Sequence, residues 1–189
     1  MSFQYIKRAI SEIEYSADGQ RVDEHFAFCQ LMDLISELCK KRHFLFFVGN
    51  GGSAGIATHM STDFLKNGCI KTHSLLDPST ITCLGNDYGY QYIFSKQLEI
   101  VAEPGDMLVA ISSSGCSPNI LNAVAVAREK GCKVVTLSGF RSDNPLRQMG
   151  DINIYVPNEE YGIVESIHNM ILQEIVDELM EDNAKEKAE

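Results

Sequence analysis

The chain of 189 residues is 44% hydrophobic and 22% charged, a balance that predicts one globular domain and excludes a disordered chain. Its net charge of −10 argues against a nucleic-acid partner, and no run reaches the roughly 18 apolar residues of a membrane span, so a small phosphorylated metabolite stays open as a ligand. Six cysteines without a C-x-x-C pair and a charged amino terminus unlike a signal peptide predict a cytoplasmic protein with free thiols.

The first forty residues contain no proline and show the periodicity of helices. An apolar stripe at helical spacing predicts one helix over residues 22–41: Leu31, Leu34, Ile35 and Leu38. An earlier helix is predicted over residues 2–15, with a turn at 16–19 between the two. Because such an arm has no core of its own, we expect it to pack against another subunit of an oligomer.

Five short apolar runs are typical of strands buried on both faces, and they lie at residues 44–48, 80–84, 107–111, 133–137 and 152–156. Helical stretches alternate with them, at residues 53–66, 90–102, 117–130, 143–149 and 161–182. This alternation predicts a three-layer α/β sandwich, in which a five-stranded parallel sheet carries helices on both faces. A single domain is therefore expected over residues 1–189: a helical arm to residue 42, an α/β core over 43–182 and a frayed tail over 183–189.

The first predicted strand runs directly into a glycine-rich turn, Gly49-Asn50-Gly51-Gly52-Ser53, and then into a helix. In an open parallel sheet, ligands bind beyond the carboxyl ends of the strands. Glycines let the chain turn sharply there, and the amino terminus of the next helix favours an anion. A plain strand-to-helix turn with Ser53 as the N-cap would explain the same residues.

A second loop, Ser112-Ser113-Ser114-Gly115-Cys116-Ser117, also follows a predicted strand and opens a helix. It provides four hydroxyl groups and one glycine within six residues. A capping turn needs only one of those hydroxyls, which leaves three without a structural purpose. Such a nest of hydroxyl and N–H groups at a helix terminus is suited to a phosphate monoester.

These two loops, together with Gly85-Asn86-Asp87-Tyr88-Gly89, resemble the SIS (sugar isomerase) domain family and, within it, the phosphoheptose isomerase group. The resemblance covers nearly the whole chain and implies a flavodoxin-like sheet. It implies conversion of sedoheptulose 7-phosphate to D-glycero-D-manno-heptose 7-phosphate through a cis-enediol, for lipopolysaccharide or capsule synthesis. It also implies a homotetramer with sites at subunit interfaces, a zinc ion and no nucleotide cofactor.

The resemblance assigns ligand-binding roles residue by residue. The sugar would be held by Asn50, Gly51, Gly52, Ser53, Asn86, Asp87 and Glu165. The phosphate would be held by Ser112, Ser113, Ser114 and Ser117.

The acid–base and metal positions depart from the pattern of the group. His59 and Asp63 project from one helix face at i, i+4, where the group has His and Glu, both implicated in zinc binding, with the Glu also proposed as the base. On the last helix the group has Gln and, eight residues on, His, whereas this chain has Glu165 and Gln173. His168 lies one turn from Glu165.

Two interpretations of these departures stay open. In the first, His59, Asp63 and Glu165, with Gln173 as a further ligand, hold a divalent ion; Asp63 or Glu165 is the base, and His168 or the metal replaces the missing acid. The sugar phosphate could then also differ from the heptose. In the second, activity is lost, and the domain binds a sugar phosphate or a protein partner. Two retained carboxylates favour an enzyme.

Overall fold

The computed structural model describes the backbone of residues 3–186 and the side chains of residues 3–181. Within this range the strands are β1 (Glu14–Ala17), β2 (Gln20–Val22), β3 (Phe44–Val48), β4 (Lys71–His73), β5 (Met107–Ser112), β6 (Lys133–Ser138) and β7 (Ile152–Tyr155). The helices are α1 (Phe3–Ser11), α2 (Glu24–Lys41), α3 (Gly52–Lys66), α4 (Pro78–Asp87), α5 (Ser95–Val101), α6 (Pro118–Glu129) and α7 (Tyr161–Glu186). Two short 3₁₀ helices lie at Tyr90–Tyr92 and Pro145–Gln148.

The strands form one sheet in the order β2-β1-β7-β6-β5-β3-β4. The five strands from β7 to β4 are parallel, as their registers show, for example Phe47 opposite Val109 and Val109 opposite Val135. The predicted parallel sheet is confirmed, but among the described residues the sheet has seven strands rather than five, because an antiparallel hairpin of β1 and β2 extends it at one edge.

Helices cover both faces of the sheet and create two cores. On one side Phe47 and Val109 pack with residues of α2, α3 and α7, such as Ile167. On the other side Phe46 and Leu108 pack with residues of α5 and α6. Because consecutive strand residues enter opposite cores, the runs are apolar at every position, and the three-layer sandwich is confirmed.

The predicted strand at residues 80–84 is wrong, because this segment lies within α4. Asp77 is the N-cap of α4 and accepts a hydrogen bond from the Thr80 backbone N–H at 2.8 Å, and Pro78 occupies the first turn. A capping carboxylate followed by proline is a strong helix start, and here it outweighs the strand propensity of Thr-Ile-Thr. The short strand β4 takes the place beside β3 instead.

The amino-terminal arm also differs from its prediction, since the first helix ends at Ser11 and a β-hairpin follows. The turn that was expected between two helices joins β1 to β2, with Asp18 and Gly19 at positive φ. Tyr15 is buried and lies opposite Ile154 of β7, so the arm packs on the core of its own chain.

At the carboxyl end, α7 extends through residue 186, and positions 187–189 of the predicted frayed tail lie outside the described residues. No helix among residues 3–186 is long and apolar enough to cross a membrane.

Candidate functional site

The first loop begins at the carboxyl end of β3 and turns into α3 through Gly51. This glycine has φ 55° and ψ −121°, and its carbonyl accepts the first helical hydrogen bonds from Ala54 and Gly55 at 3.1 Å. It is the N-cap and has no side chain to cap with, while Ser53 is buried inside the first turn. Ser53 is therefore not a capping residue, and the amino terminus of α3 keeps backbone N–H groups for a ligand.

The second loop connects β5 to α6 and carries the four serines. Ser117 is the N-cap of α6 but makes no side-chain capping bond. Its hydroxyl instead accepts from the hydroxyl of Ser112 at 3.4 Å. The Cys116 N–H donates to the hydroxyl of Ser114 at 3.3 Å. The hydroxyl of Ser113 is buried, with no hydrogen-bond partner among the described residues. Helix capping thus does not account for these serines.

The structure brings the two loops together, because β3 and β5 are adjacent strands. The side-chain amides of Asn50 and Asn119 exchange two hydrogen bonds: Asn50 Nδ2 donates to Asn119 Oδ1 at 2.9 Å, and Asn119 Nδ2 donates to Asn50 Oδ1 at 2.8 Å. The glycine-rich turn and the hydroxyl-rich turn therefore share one rim of the sheet, as the sequence predicts.

Glu165 of α7 lies against the first loop. A Cβ atom on Gly52 would collide with the carboxylate of Glu165, so glycine permits this close approach. The carboxylate is thereby placed beside the first turn of α3, where the positive end of the helix dipole favours a negative charge. Gly139, which follows β6, lies between this turn of α7 and the second loop, because a Cβ on Gly139 would meet both Val164 and the Ser113 carbonyl oxygen.

His59 and Asp63 form a separate pair along α3, with Nε2 and Oδ2 3.5 Å apart. The His59 side chain is 57% exposed and that of Asp63 is 19% exposed. Gln173 donates to Asp177 at 3.1 Å rather than to either of them. No three His, Cys, Asp or Glu side chains among the described residues come close enough to hold a metal ion. The described residues of one chain therefore form no group that would hold the zinc ion implied by the resemblance.

His168 is completely buried behind the end of β6. Its Nε2 lies 3.1 Å from the carbonyl oxygen of Ser138 and so carries the proton, while Nδ1 is buried with no hydrogen-bond partner. Burial lowers the pKa of His168 to about 4, so the imidazole is neutral at pH 7. An enclosed, neutral imidazole is poorly suited to donate a proton to a substrate.

Asn86 and Asp87 are exposed at the end of α4, where the Asn86 amide donates to the Asp87 carboxylate at 2.8 Å. Gly89, at φ 97°, then turns the chain into a 3₁₀ helix. The hydroxyl of Tyr90 in that helix donates to Asn50 Oδ1 at 3.0 Å. The segment that follows the 85–89 motif therefore contacts the first loop through Tyr90.

Comparison with known proteins identifies the family of this chain. The sequence matches the SIS domain family over residues 13–139. It is 32% identical to the phosphoheptose isomerase of Helicobacter hepaticus over 180 residues, which cover 90% of this chain and 91% of that protein. The chain belongs to the SIS domain family, in its phosphoheptose isomerase group. The resemblance inferred from the loop motifs is thus confirmed.

Other members of the group match this SIS domain over most of their length. The phosphoheptose isomerase of Aliarcobacter butzleri is 37% identical over 138 residues, covering 70% of this chain and 72% of that protein. The structure of phosphoheptose isomerase GmhA from Neisseria gonorrhoeae superposes with a TM-score of 0.81 at 29% identity, covering 94% of both chains.

Three residues of this SIS domain site were missed from the sequence: Asn119, Tyr90 and Asn144. Asn144 is buried against Gly115, where a Cβ would collide with its amide, and it donates to the Gly139 carbonyl at 3.1 Å. Asn144 thus packs against the second loop and supports it. Only Asn119 had a signal in the sequence, since it follows the Ser117-Pro118 helix start directly.

Proposed function

We propose that this chain is a phosphoheptose isomerase that converts sedoheptulose 7-phosphate to D-glycero-D-manno-heptose 7-phosphate. The observation that carries the proposal is the joining of the two loops through Asn50 and Asn119, with Glu165 against the first loop. Relatives that match nearly the full chain are phosphoheptose isomerases. We further propose a cytoplasmic homotetramer with sites at subunit interfaces, serving lipopolysaccharide or capsule synthesis.

The phosphate end of the substrate is assigned to the second loop. The chain carries a net charge of −10, so the anion needs a local set of donors rather than a general attraction. Hydroxyls and the amino terminus of α6 supply such donors.

The reacting carbons, C1 and C2, are at the other end of a seven-carbon chain from the phosphate. Glu165 lies against the first loop and is therefore assigned to a sugar hydroxyl. Asp63 stands where the group has the Glu that is proposed as its base, and it is paired with His59 on α3. Asp63 is thus the proposed base.

The proposed reaction moves two protons, one from C1 to C2 and one from the C1 oxygen to the C2 oxygen, and no other group. The carboxylate of Asp63 removes a proton from C1, the C–H electron pair forms the C1–C2 double bond, and the C2 oxygen takes a proton to give the cis-enediol. His59, 3.5 Å from Asp63, is placed to carry protons between the two oxygens. Return of the first proton to C2 and loss of the C1 hydroxyl proton then give the aldose. No step is assigned to zinc, since three ligands do not converge in the described part of the chain.

Solvent isotope incorporation tests this function. The protein is incubated with sedoheptulose 7-phosphate in D₂O, with and without added zinc, and the product is examined by NMR for deuterium at C2. We expect deuterium at C2 of a heptose phosphate. Exchange only with a hexulose phosphate would assign another sugar, and tight sugar-phosphate binding without exchange would make the protein a binding domain. Light scattering checks for a particle of four times the 21.0 kDa chain.

A further inference from the structure

We propose that Asn119 and Tyr90 are positioning residues that lock the two ligand loops in register through the side chain of Asn50. This group of three residues is called the amide clamp below. The inference rests on the proposed isomerase function for its effect on turnover. It assigns Asn50 a different role from the sugar contact that the resemblance implies.

The hydrogen bonds of the amide clamp use most of the capacity of Asn50. Its Oδ1 accepts from Asn119 Nδ2 at 2.8 Å and from the Tyr90 hydroxyl at 3.0 Å, so both lone pairs of this oxygen are occupied. Its Nδ2 donates to Asn119 Oδ1 at 2.9 Å. One N–H of Asn50 is left for any other partner. The side chain is thus held mainly by the protein, and its remaining N–H and the backbone of Gly51 and Gly52 are left for the sugar.

Asn119 is the fixed point of the amide clamp. It is 2% exposed in the first turn of α6, and its Oδ1 also accepts from the backbone N–H of Ile120 at 3.1 Å. This extra donor fixes which end of the Asn119 amide is oxygen, and the reciprocal pair then fixes the orientation of Asn50. A buried pair of this kind has one favourable arrangement, because a flipped amide would set donor against donor.

The amide clamp joins three segments that are distant in the chain. Asn50 precedes the N-cap of α3, Asn119 follows the N-cap of α6, and Tyr90 follows the Asn86-Asp87 motif. A second bond holds two of these segments, α6 and the 3₁₀ helix of Tyr90, since the Asn122 side chain donates to the Gln91 carbonyl at 2.9 Å. The distance between the sugar-binding and phosphate-binding turns is therefore set by side chains that touch neither phosphate nor reacting carbon.

A double-mutant cycle on Asn50 and Asn119 tests the amide clamp. A misplacement of 1 Å can cost about a hundredfold in rate, so we expect Asn50→Ala and Asn119→Ala each to lower kcat by about that factor with KM nearly unchanged. The double variant is expected to lose no more than the worse single variant, because both singles break the same pair. If the kcat losses of the two single variants multiplied in the double variant, or if KM rose while kcat was kept, Asn50 would contact the sugar independently and the proposal would be overturned.

Tyr90→Phe is the gentler variant, since it removes one hydroxyl from a ring that is 58% exposed. We expect kcat to fall about tenfold, the effect of one lost hydrogen bond of 1.4 kcal/mol. Tyr92→Phe is the matched control, the same change two residues away in the same 3₁₀ helix, and turnover should stay within about twofold of the parent. Equal effects of the two changes would remove Tyr90 from the amide clamp.

Backbone relaxation in the substrate-free protein separates this proposal from the proposed function. Order parameters of Gly51 and Gly52 near 0.85 indicate a rigid backbone, and values below about 0.6 a flexible one. We expect a fall toward the flexible range in Asn119→Ala and Tyr90→Phe but not in Tyr92→Phe. That result with no isomerase activity in the parent would reject the function and keep the amide clamp. Normal activity with unchanged order parameters would reject the amide clamp alone.

Discussion

The two ligand loops and the acidic faces of α3 and α7 differ in how one chain assembles them. The loops are joined by reciprocal bonds of 2.9 and 2.8 Å between Asn50 and Asn119, and adjacent strands deliver them to one rim. The acidic groups lie apart: Glu165 is at the first loop, and Asp63 is paired with His59 further along α3. On the proposed function, phosphate binding is thus assigned to turns whose positions are set by sheet topology, whereas proton transfer is assigned to single side chains on two helices.

Asp63→Asn, compared with Glu165→Gln, should give the largest effect. Removal of a general base costs about 10²–10⁴-fold in rate, so we expect kcat of Asp63→Asn to fall about a thousandfold and deuterium uptake at C2 to be lost. Glu165→Gln should mainly raise KM, by about tenfold, because one sugar hydrogen bond is weakened. Asp33→Asn, on the exposed face of α2, is the control. A larger kcat loss in Glu165→Gln would exchange the two assignments.

Removing hydroxyls from the second loop should affect binding rather than chemistry. A hydrogen bond to a charged group contributes about 1.5–3 kcal/mol, so we expect the Ser113→Ala, Ser114→Ala double variant to raise KM about a hundredfold with kcat kept. The fold should be retained, because the bond lost from Ser114 is a long one, 3.3 Å from the Cys116 N–H, and the Ser113 hydroxyl has no hydrogen-bond partner among the described residues. Thermal unfolding and inorganic phosphate titration measure the two quantities. An unchanged KM would place the phosphate elsewhere.

The close approach of Gly52 and Glu165 links the two regions and gives a smaller, directional effect. Gly52→Ala should push the Glu165 carboxylate aside and raise KM about tenfold, as one hydrogen bond is lost. Gly55→Ala is the matched control in the same helix, since a Cβ there meets open space and should stabilise α3 by about 1 kcal/mol. If Gly52→Ala and Gly55→Ala behave alike, Glu165 has no role at the first loop.

The same division explains what could be read from the amino-acid sequence. The positions of both loops followed from two observations, buried apolar strands and the binding of ligands beyond the carboxyl ends of parallel strands. The Asn50–Asn119 pair could not be predicted, because the two residues are 69 positions apart and belong to no periodic pattern. The fit of Asp63, Glu165 and Gln173 to a metal could not be judged either, since residue type does not give the reach of a side chain.

The two errors in the predicted fold have different causes. The run at residues 80–84 has strand-like residues, but Asp77 and Pro78 start a helix before them. The hairpin after Ser11 depends on Tyr15 pairing with Ile154, a contact across the whole chain that helical periodicity in the arm concealed. A local helix start therefore decided α4, whereas long-range pairing decided the hairpin.

His168 belongs to neither region, and its substitution should affect turnover least. Burial lowers the pKa of His168 to about 4 from the ordinary 6.5, so the folded state disfavours protonation. Above pH 6.5 the imidazole is neutral in both states and contributes no pH dependence. As the pH falls toward 4, His168 binds a proton in the unfolded chain but not in the folded chain. The free energy of unfolding therefore falls by roughly 3 kcal/mol.

His168→Gln should remove this pH dependence while keeping an amide donor for the Ser138 carbonyl. Urea unfolding of parent and variant between pH 4 and 7.5 measures the difference in unfolding free energy, and its slope isolates the imidazole from all other titrating groups. Turnover at pH 7.5 should stay within about threefold, because a neutral, enclosed ring takes no part in proton transfer. A large fall in kcat together with a changed pH–rate profile would instead return His168 to the role of general acid, and would require the interior behind β6 to open during the reaction.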